Sequence, residues 1–214
     1  MSKTIAVFGL GRFGRSLATN LYDSGVDVLA IDKDHDIVET MSGKVTYAAS
    51  ADLTNPNAIK ELGLGEVDVV VVAIGSDLKA SIISVMVAKE EGVPYVIAKA
   101  ADERMGEILK KIGADKIIFP EEETGVRTAK ILTSSSFLEF FSIDKNLCLI
   151  EMKPKAEWVG MTLRELELRN KYKINVVAVK DASEMRSFID PDRPLEEDTE
   201  LLVILDKKDL GGIN

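Results

Sequence analysis

The sequence contains only one cysteine and one histidine, Cys148 and His35, among its 214 residues. A single cysteine excludes an internal disulfide and a cysteine-rich metal site, and it fits a reducing compartment such as the cytosol. A lone histidine excludes a histidine-based metal cluster and leaves histidine catalysis without a partner. We therefore expect no Cys/His metal centre and no histidine-based active site.

Basic residues and long apolar runs are also scarce. The 27 Lys and Arg residues face 36 Asp and Glu, which gives a net charge of -9. Nucleic-acid binding relies on clustered positive side chains that neutralise phosphates, so nucleic acid is not an expected partner. The most apolar stretch, "VDVVVVAIG", is far shorter than the ~20 residues of a membrane span. Any association with a membrane is therefore expected to come through a partner protein.

Strand-like and helix-like segments alternate regularly before Pro120. Such alternation implies right-handed βαβ crossovers, and it predicts an α/β fold with a Rossmann-like, doubly wound parallel sheet. The fourth strand is rich in β-branched residues, as in sheets that are covered on both faces. The predicted strands are Lys3 to Phe8, Val26 to Ile31, Val45 to Ala49, Val67 to Ala73, Tyr95 to Ala98 and Lys116 to Phe119.

The pattern changes after Pro120. One further helix is expected from Glu121 to Ser135, followed by "SSSFLEFF". From Leu147 the order becomes strand, helix (Leu163 to Asn170), strand and two shorter strands, which predicts a small C-terminal α+β subdomain. We place the boundary near Ser142, so that residues 1–141 form the nucleotide-binding domain and residues 142–214 the C-terminal subdomain.

The segment "GLGRFGRS" follows the first strand and opens a helix, with an acid, Asp32, at the end of the second strand. This is the dinucleotide-binding fingerprint in its proper context. Gly9 allows the tight turn, Gly11 the close approach of phosphates, and Gly14 the packing of the helix on the sheet. The alternative is a degenerate Rossmann domain that binds nothing. The residues expected to form the site are Gly9, Gly11, Arg12, Phe13, Gly14, Asp32, Lys33, Asp34, Ala51, Asp52, Ala73, Ile74 and Gly75.

Several of these positions have two interpretations. Asp32 is placed to accept hydrogen bonds from both ribose hydroxyls and to repel a 2′-phosphate, which disfavours NADP. Asp52 is placed to reach an adenine edge, but a solvated cap residue is an equal alternative. Gly75 would let the backbone approach a ligand after the fourth strand, and it is equally typical of an ordinary turn.

Arg12 is unusual, because a cation is poorly placed at the positive end of a helix dipole. One interpretation is a solvated side chain in the first turn. The other is a guanidinium that forms bidentate bonds to phosphate oxygens and reaches a terminal phosphate that a diphosphate lacks. We hypothesise that Arg12 distinguishes triphosphates from diphosphates.

The chain resembles the KtrA and TrkA proteins, cytosolic regulatory subunits of potassium uptake systems that contain a domain regulating potassium conductance (RCK). The resemblance is carried by "VFGLGRFGRSLA", "VLAID", "VVVVAIGSD" and "AKAADERMGEILKKIGADKIIFPEEETG". It implies an N-terminal domain that binds ATP, ADP or NAD(H) without turnover. It also implies homodimers, joined through the helix after Pro120, that close into a ring, typically an octamer. The ring would be peripheral at the inner face of the membrane, beneath a potassium-translocating subunit of the KtrB or TrkH type.

The resemblance also assigns roles to individual residues. It places Arg12 near the terminal phosphate, and Asp32 and Asp34 on the ribose side. It implies that Lys99, in "AKAAD", lies near the phosphates. Glu121, in "FPE", would reach the γ-phosphate from a neighbouring subunit and share a divalent or monovalent cation with it. From the sequence alone, Lys99 fits a surface lysine at a strand end, and Glu121 fits an acid that complements a helix dipole.

A second ligand is implied for the C-terminal subdomain. In similar proteins of some bacteria this part binds cyclic di-AMP between two subunits. Arg169 and Asn175, in "LRNKYKIN", match positions of that site. An arginine that is solvated or buried in an interface is the alternative.

Three classes of function compete for a chain with such a nucleotide-binding domain. A nucleotide-sensing regulatory subunit needs a phosphate-facing cation and no catalytic apparatus. An NAD-dependent oxidoreductase needs a substrate domain with a positioned acid or base, and the histidine-free C-terminal part offers no evident one. A redox-responsive transcription factor needs a DNA-binding helix pair and a basic face, and the sequence shows neither. The sequence therefore favours a regulator over an enzyme.

Overall fold

The computed structural model describes residues 3–181 and 184–213. The chain divides into two compact units, Met1–Glu121 and Glu122–Asn214. Within the described ranges, no helix combines the length and the hydropathy that a bilayer span requires. The elements of the first unit are β1 (Thr4–Phe8), α1 (Arg12–Asp23), β2 (Asp27–Asp32), α2 (His35–Met41), β3 (Tyr47–Ser50), α3 (Pro56–Lys60), β4 (Val69–Val72), α4 (Leu78–Glu90), β5 (Tyr95–Lys99), α5 (Glu103–Lys111) and β6 (Lys116–Ile118).

The six strands of the first unit form one parallel sheet in the order β3-β2-β1-β4-β5-β6. This is the Rossmann strand order, and the predicted doubly wound α/β fold is confirmed. β4 lies beside β1, where the strand order reverses. Ligands of such sheets bind at this switch point, outside the carboxyl ends of the strands.

The first sheet is buried on both faces. Along β1, Ala6 and Phe8 belong to one core cluster, and Ile5 and Val7 belong to another. Successive side chains of a strand point to opposite faces, so each face of the sheet packs its own set of helices. Val69–Val72 is buried at all four positions, as its run of β-branched residues predicts.

The second unit contains an antiparallel sheet in the order β10-β9-β11-β8-β7. Burial alternates along β8 and β11, so every second residue faces the core. That core includes the fully buried Trp158 and Leu201. Its elements are α6 (Pro120–Leu132), which begins at the boundary of the two units, β7 (Phe137–Ser142), β8 (Leu147–Met152), α7 (Leu163–Leu166), α8 (Leu168–Lys171), β9 (Asn175–Asp181), β10 (Glu184–Arg186) and β11 (Glu200–Asp206).

Two features differ from the sequence expectations. The division at Glu121 precedes the expected boundary near Ser142, because Phe137–Ser142 pairs with β8 in the second sheet. The expected single helix from Leu163 to Asn170 is two short helices. Glu167 separates them with a φ of 45°, a left-handed conformation that a continuous helix does not contain.

Candidate nucleotide-binding site

The loop after β1 is shaped by its glycines. Gly9 has a φ of 93°, and its N–H donates to the Ile31 carbonyl at 2.8 Å, which ties the loop to the end of β2. A Cβ on Gly14 would lie 1.9 Å from the Gly9 carbonyl oxygen. Only a residue without a side chain allows this close packing of α1 against the loop. These positions have the geometry that the fingerprint predicts.

The start of α1 differs from the starts of the next four helices. Its N-cap residue, Gly11, provides no side-chain hydrogen bond, and no acid lies in the first turn. The helices α2 to α5 instead begin with side-chain caps from Asp34, Asn55, Asp77 and Asp102. The first N–H groups of α1 therefore remain available to an anion, in a region of positive helix potential.

Asp32 connects the glycine loop to the end of β2. Its Oδ2 accepts from the Leu10 N–H at 2.6 Å, and its Oδ1 accepts from the Asp34 N–H at 3.0 Å. An ionised carboxylate has about four acceptor sites, so each oxygen retains capacity for a ribose hydroxyl. These two bonds fix the orientation of the carboxylate before any ligand arrives.

A cleft of about 240 Å³ lies at the carboxyl ends of the strands and contains much of the predicted site. It brings together eight of the predicted residues: Gly9, Gly11, Asp32, Lys33, Asp52, Ala73, Ile74 and Gly75. It adds six that the sequence reading missed: Ile37, Leu53, Thr54, Ser76, Asp77 and Ala80. Leu53 and Thr54 continue the chain from Asp52, and Ser76 and Asp77 continue it from Gly75, so the strand-end positions were the available signal for these four.

Some predicted residues lie outside the cleft lining. The Asp34 side chain caps α2 by accepting from the N–H groups of Asp36 and Ile37. Gly14 is buried beneath the loop. Arg12, Phe13, Ala51, Lys99 and Glu121 also fall outside the lining. Arg12 is exposed at the first position of α1, and among residues 3–181 and 184–213 its guanidinium has no partner.

Asn55, rather than Asp52, caps the helix that follows, and Asp52 is held within a turn. Its Oδ1 accepts from the Thr54 N–H at 2.9 Å and from the Thr54 hydroxyl at 2.8 Å. The Thr54 backbone bond, followed by the hydroxyl bond, lowers the pKa of Asp52 below its ordinary value. Asp52 therefore lines the cleft as an ionised group that remains exposed to solvent.

Lys99 and Glu121 form an ion pair in which Nζ lies 2.5 Å from Oε1. The Lys99 ammonium also lies 5.9 Å from the centroid of the Phe13 ring. The Lys99 hydrogen bond is the main cause that lowers the pKa of Glu121. Among the described residues, no group of three or more His, Cys, Asp or Glu side chains is arranged to hold a metal ion.

The second unit contains a separate cleft of about 410 Å³. Arg169, on α8, and Asn175, at the start of β9, both line it. Both residues are exposed. The structure therefore brings together the two residues that the resemblance assigned to a second ligand.

The comparisons with known proteins agree with this architecture. The TrkA-N domain model matches residues 5–120, and the TrkA-C domain model matches residues 148–212. Ktr system potassium uptake protein C of Bacillus subtilis is 38% identical over 86% of this chain and 84% of its own length. Ktr system potassium uptake protein A of Vibrio alginolyticus is 37% identical over 94% of this chain and 92% of its own length.

Solved structures show the same fold. The GsuK channel matches with a TM-score of 0.69 at 16% identity, covering 100% of this chain and 39% of that one. The GsuK channel bound to NAD matches with a TM-score of 0.68 at 15% identity, covering 98% and 38%. At this level of identity the likeness concerns the fold alone.

Proposed function

Because the chain belongs to the family of Ktr and Trk system potassium uptake proteins, with a TrkA-N and a TrkA-C domain, we propose that it is a nucleotide-sensing regulatory subunit. In this proposal it binds ATP or ADP, or alternatively NAD(H), in the cleft of its first unit and does not turn the nucleotide over. It controls a potassium-translocating membrane subunit to which it docks from the cytoplasm.

The cleft at the switch point of the first sheet carries this proposal. Its glycine loop, the uncapped start of α1 and the pre-oriented Asp32 together suit a phosphate and an adenosine ribose. The same features suit ATP, ADP and NAD equally, because each contains a ribose and a diphosphate. NAD(H) is kept as an alternative because one structure with a similar fold is a GsuK channel bound to NAD.

Arg12 would distinguish the nucleotides. It lies exposed at the first position of α1, beside the loop proposed to hold the phosphates. An unpaired guanidinium there is available to a terminal phosphate, with bidentate geometry. The remaining site residues are proposed to act as assigned above: Asp32 and Asp34 on the ribose side, Asp52 at the adenine edge, and Lys99 near the phosphates.

Regulation would follow from differential binding. A ligand shifts a conformational equilibrium only by as much as its affinity differs between the two states. We therefore propose that ATP and ADP favour different shapes of a homo-oligomeric ring, assembled from dimers and typically octameric. Glu121 would share a divalent or monovalent cation with a phosphate bound to a neighbouring subunit. Cyclic di-AMP at Arg169 and Asn175 would be a second input.

The direct test mixes the purified full-length protein with ATP, ADP and NADH, and follows affinity by calorimetry and oligomer size by light scattering. We expect micromolar binding of at least one nucleotide and a ligand-dependent change in the assembly. Absence of binding by all three would contradict the proposal. The competing class, an NAD-dependent oxidoreductase, would be favoured instead if NADH were consumed with a panel of small carbonyl compounds.

A further inference from the structure

The Lys99 ammonium is held by a counter-ion from its own chain. Lys99 is only 8% exposed, and its partner in the ion pair is Glu121, whose side chain is 70% exposed. A lysine buried to this degree requires a negative partner, because an unpaired charge away from water is costly. Glu121 has no such requirement, since water solvates its carboxylate well.

The ammonium lies next to the segments proposed to receive phosphates. A Cβ on Gly75 would lie 3.2 Å from Lys99 Nζ, and Gly75 lines the nucleotide cleft. The ring of Phe13, in the first turn of α1, lies 5.9 Å from the same ammonium. Lys99 is therefore adjacent to the cleft while its charge is neutralised by Glu121.

We propose that Glu121 and a nucleotide phosphate compete for the Lys99 ammonium. This inference rests on the proposed function, because it requires phosphates in the cleft. When a phosphate binds, Lys99 exchanges one anion for another and stays paired throughout. Glu121 is released to water, at low cost because it is already mostly exposed.

The exchange has a consequence for the chain beyond the cleft. Glu121 is the second residue of α6 and the last residue of the first unit. Phosphate occupancy therefore removes the Lys99–Glu121 contact that anchors the first turn of the helix at which the chain leaves the first unit. A ligand without phosphate leaves that anchor in place.

The first test compares ADP with adenosine in a buffer containing EDTA, by calorimetry on the full chain. Removing metal ions eliminates any cation that Glu121 would share with a phosphate. Glu121→Gln removes the competitor, so the affinity for ADP should rise about twofold to fivefold, the range expected for a partly exposed ion pair. The affinity for adenosine, which has no phosphate, should not change.

The matched control is Glu122→Gln, which removes the same charge one residue along the chain. Its carboxylate is exposed, and no ion pair between it and Lys99 is found in the described part of the chain. We expect its ADP affinity to equal that of the unmodified protein. Equal affinities for Glu121→Gln and Glu122→Gln, or a weaker ADP affinity for Glu121→Gln, would overturn the inference.

A double-mutant cycle isolates the pair. Lys99→Gln should weaken ADP binding. In the Lys99→Gln background, the additional Glu121→Gln substitution should not increase ADP affinity. A gain of the same size in both backgrounds would show that Glu121 acts without Lys99. If Lys99→Gln fails to fold, the ADP and adenosine titrations of Glu121→Gln and Glu122→Gln still decide whether Glu121 competes with the phosphate. Failure of the unmodified protein to bind ADP, ATP or NADH contradicts the proposed function itself, a separate outcome.

Discussion

The first sheet of this protein is buried on both faces, whereas the second alternates between a packed face and a half-buried, charged one. In the first, β4 is buried at every position. In the second, burial alternates along β11, and on the half-buried side Lys180 forms ion pairs with Glu151 and Glu200. A parallel sheet covered by helices presents only its strand ends to a ligand, which is why the nucleotide cleft lies there. The antiparallel sheet of the second unit instead leaves one whole face half-buried.

This contrast yields predictions that treat the units separately. Trp158, the only tryptophan of the chain, is 1% exposed in the core of the second unit. Its fluorescence therefore reports the unfolding of the second unit, while nucleotide affinity reports the integrity of the cleft in the first unit. The variants below are expected to affect one signal more than the other.

Leu201→Ala should have the largest effect on stability. Leu201 is fully buried in the core of the second sheet, and truncating such a leucine costs about 2–5 kcal/mol. We expect the unfolding transition followed by Trp158 fluorescence to move to lower denaturant. Val177→Ala, at a side chain that is 38% exposed on β9, is the control and should shift the transition far less. Comparable shifts for the two variants would contradict the described core.

Gly14→Ala should have the next largest effect, and on the first unit. Its new Cβ would meet the Gly9 carbonyl oxygen, which belongs to backbone and moves only if the loop moves. Overpacking of this kind costs about 1–3 kcal/mol, so nucleotide affinity should fall roughly tenfold to a hundredfold.

The control for this variant is Gly65→Ala, where a Cβ would have no neighbouring atom within 4 Å. Its nucleotide affinity should be unchanged in calorimetry, and Trp158 fluorescence should remain native in both glycine variants. Retained affinity in Gly14→Ala would mean that the loop does not have the described geometry.

The sequence predicted much of this contrast but not all of it. The fingerprint and Asp32 located the cleft because their roles depend on local spacing, and the doubly wound parallel sheet followed from the alternation of strands and helices. The strand Phe137–Ser142 was not predicted, because it is defined by its pairing with β8, a tertiary contact that local sequence patterns do not specify. The capping role of Asp34 and the pairing of Lys99 with Glu121 depend on side-chain positions that no spacing rule specifies.

The smallest expected stability effect is a pH dependence of opposite sign in the two units. Burial, then a hydrogen bond with Glu200, raises the pKa of Glu151 above its ordinary 4.5. Its contribution to the stability of the second unit is complete below pH 4.5 and is lost as the pH rises through the raised pKa. In the first unit, the Val96 N–H is the main cause that lowers the pKa of Asp115 below 3.8. That contribution is present above pH 3.8 and is lost as the pH falls through the lowered pKa.

Glu151→Gln tests this in the second unit, because glutamine keeps a hydrogen-bonding group and removes the titration. The Trp158 transition of the variant should depend less on pH above 4.5 than that of the unmodified protein. Glu157→Gln, at an exposed position in the same unit, should retain the original dependence. An unchanged pH profile in Glu151→Gln would contradict the raised pKa.

The affinity ratio of ATP to ADP, measured by calorimetry on Arg12→Ala and on the unmodified protein, tests the central claim most directly. Arg12 is proposed to bind a phosphate that ADP lacks, so its removal should weaken ATP binding by about tenfold and leave ADP nearly unchanged, as expected for a charged hydrogen bond. Arg15→Ala removes the same charge one turn further along α1 and should preserve the ratio. A ratio that is the same in Arg12→Ala and in the unmodified protein would contradict the claim that this site distinguishes the two nucleotides.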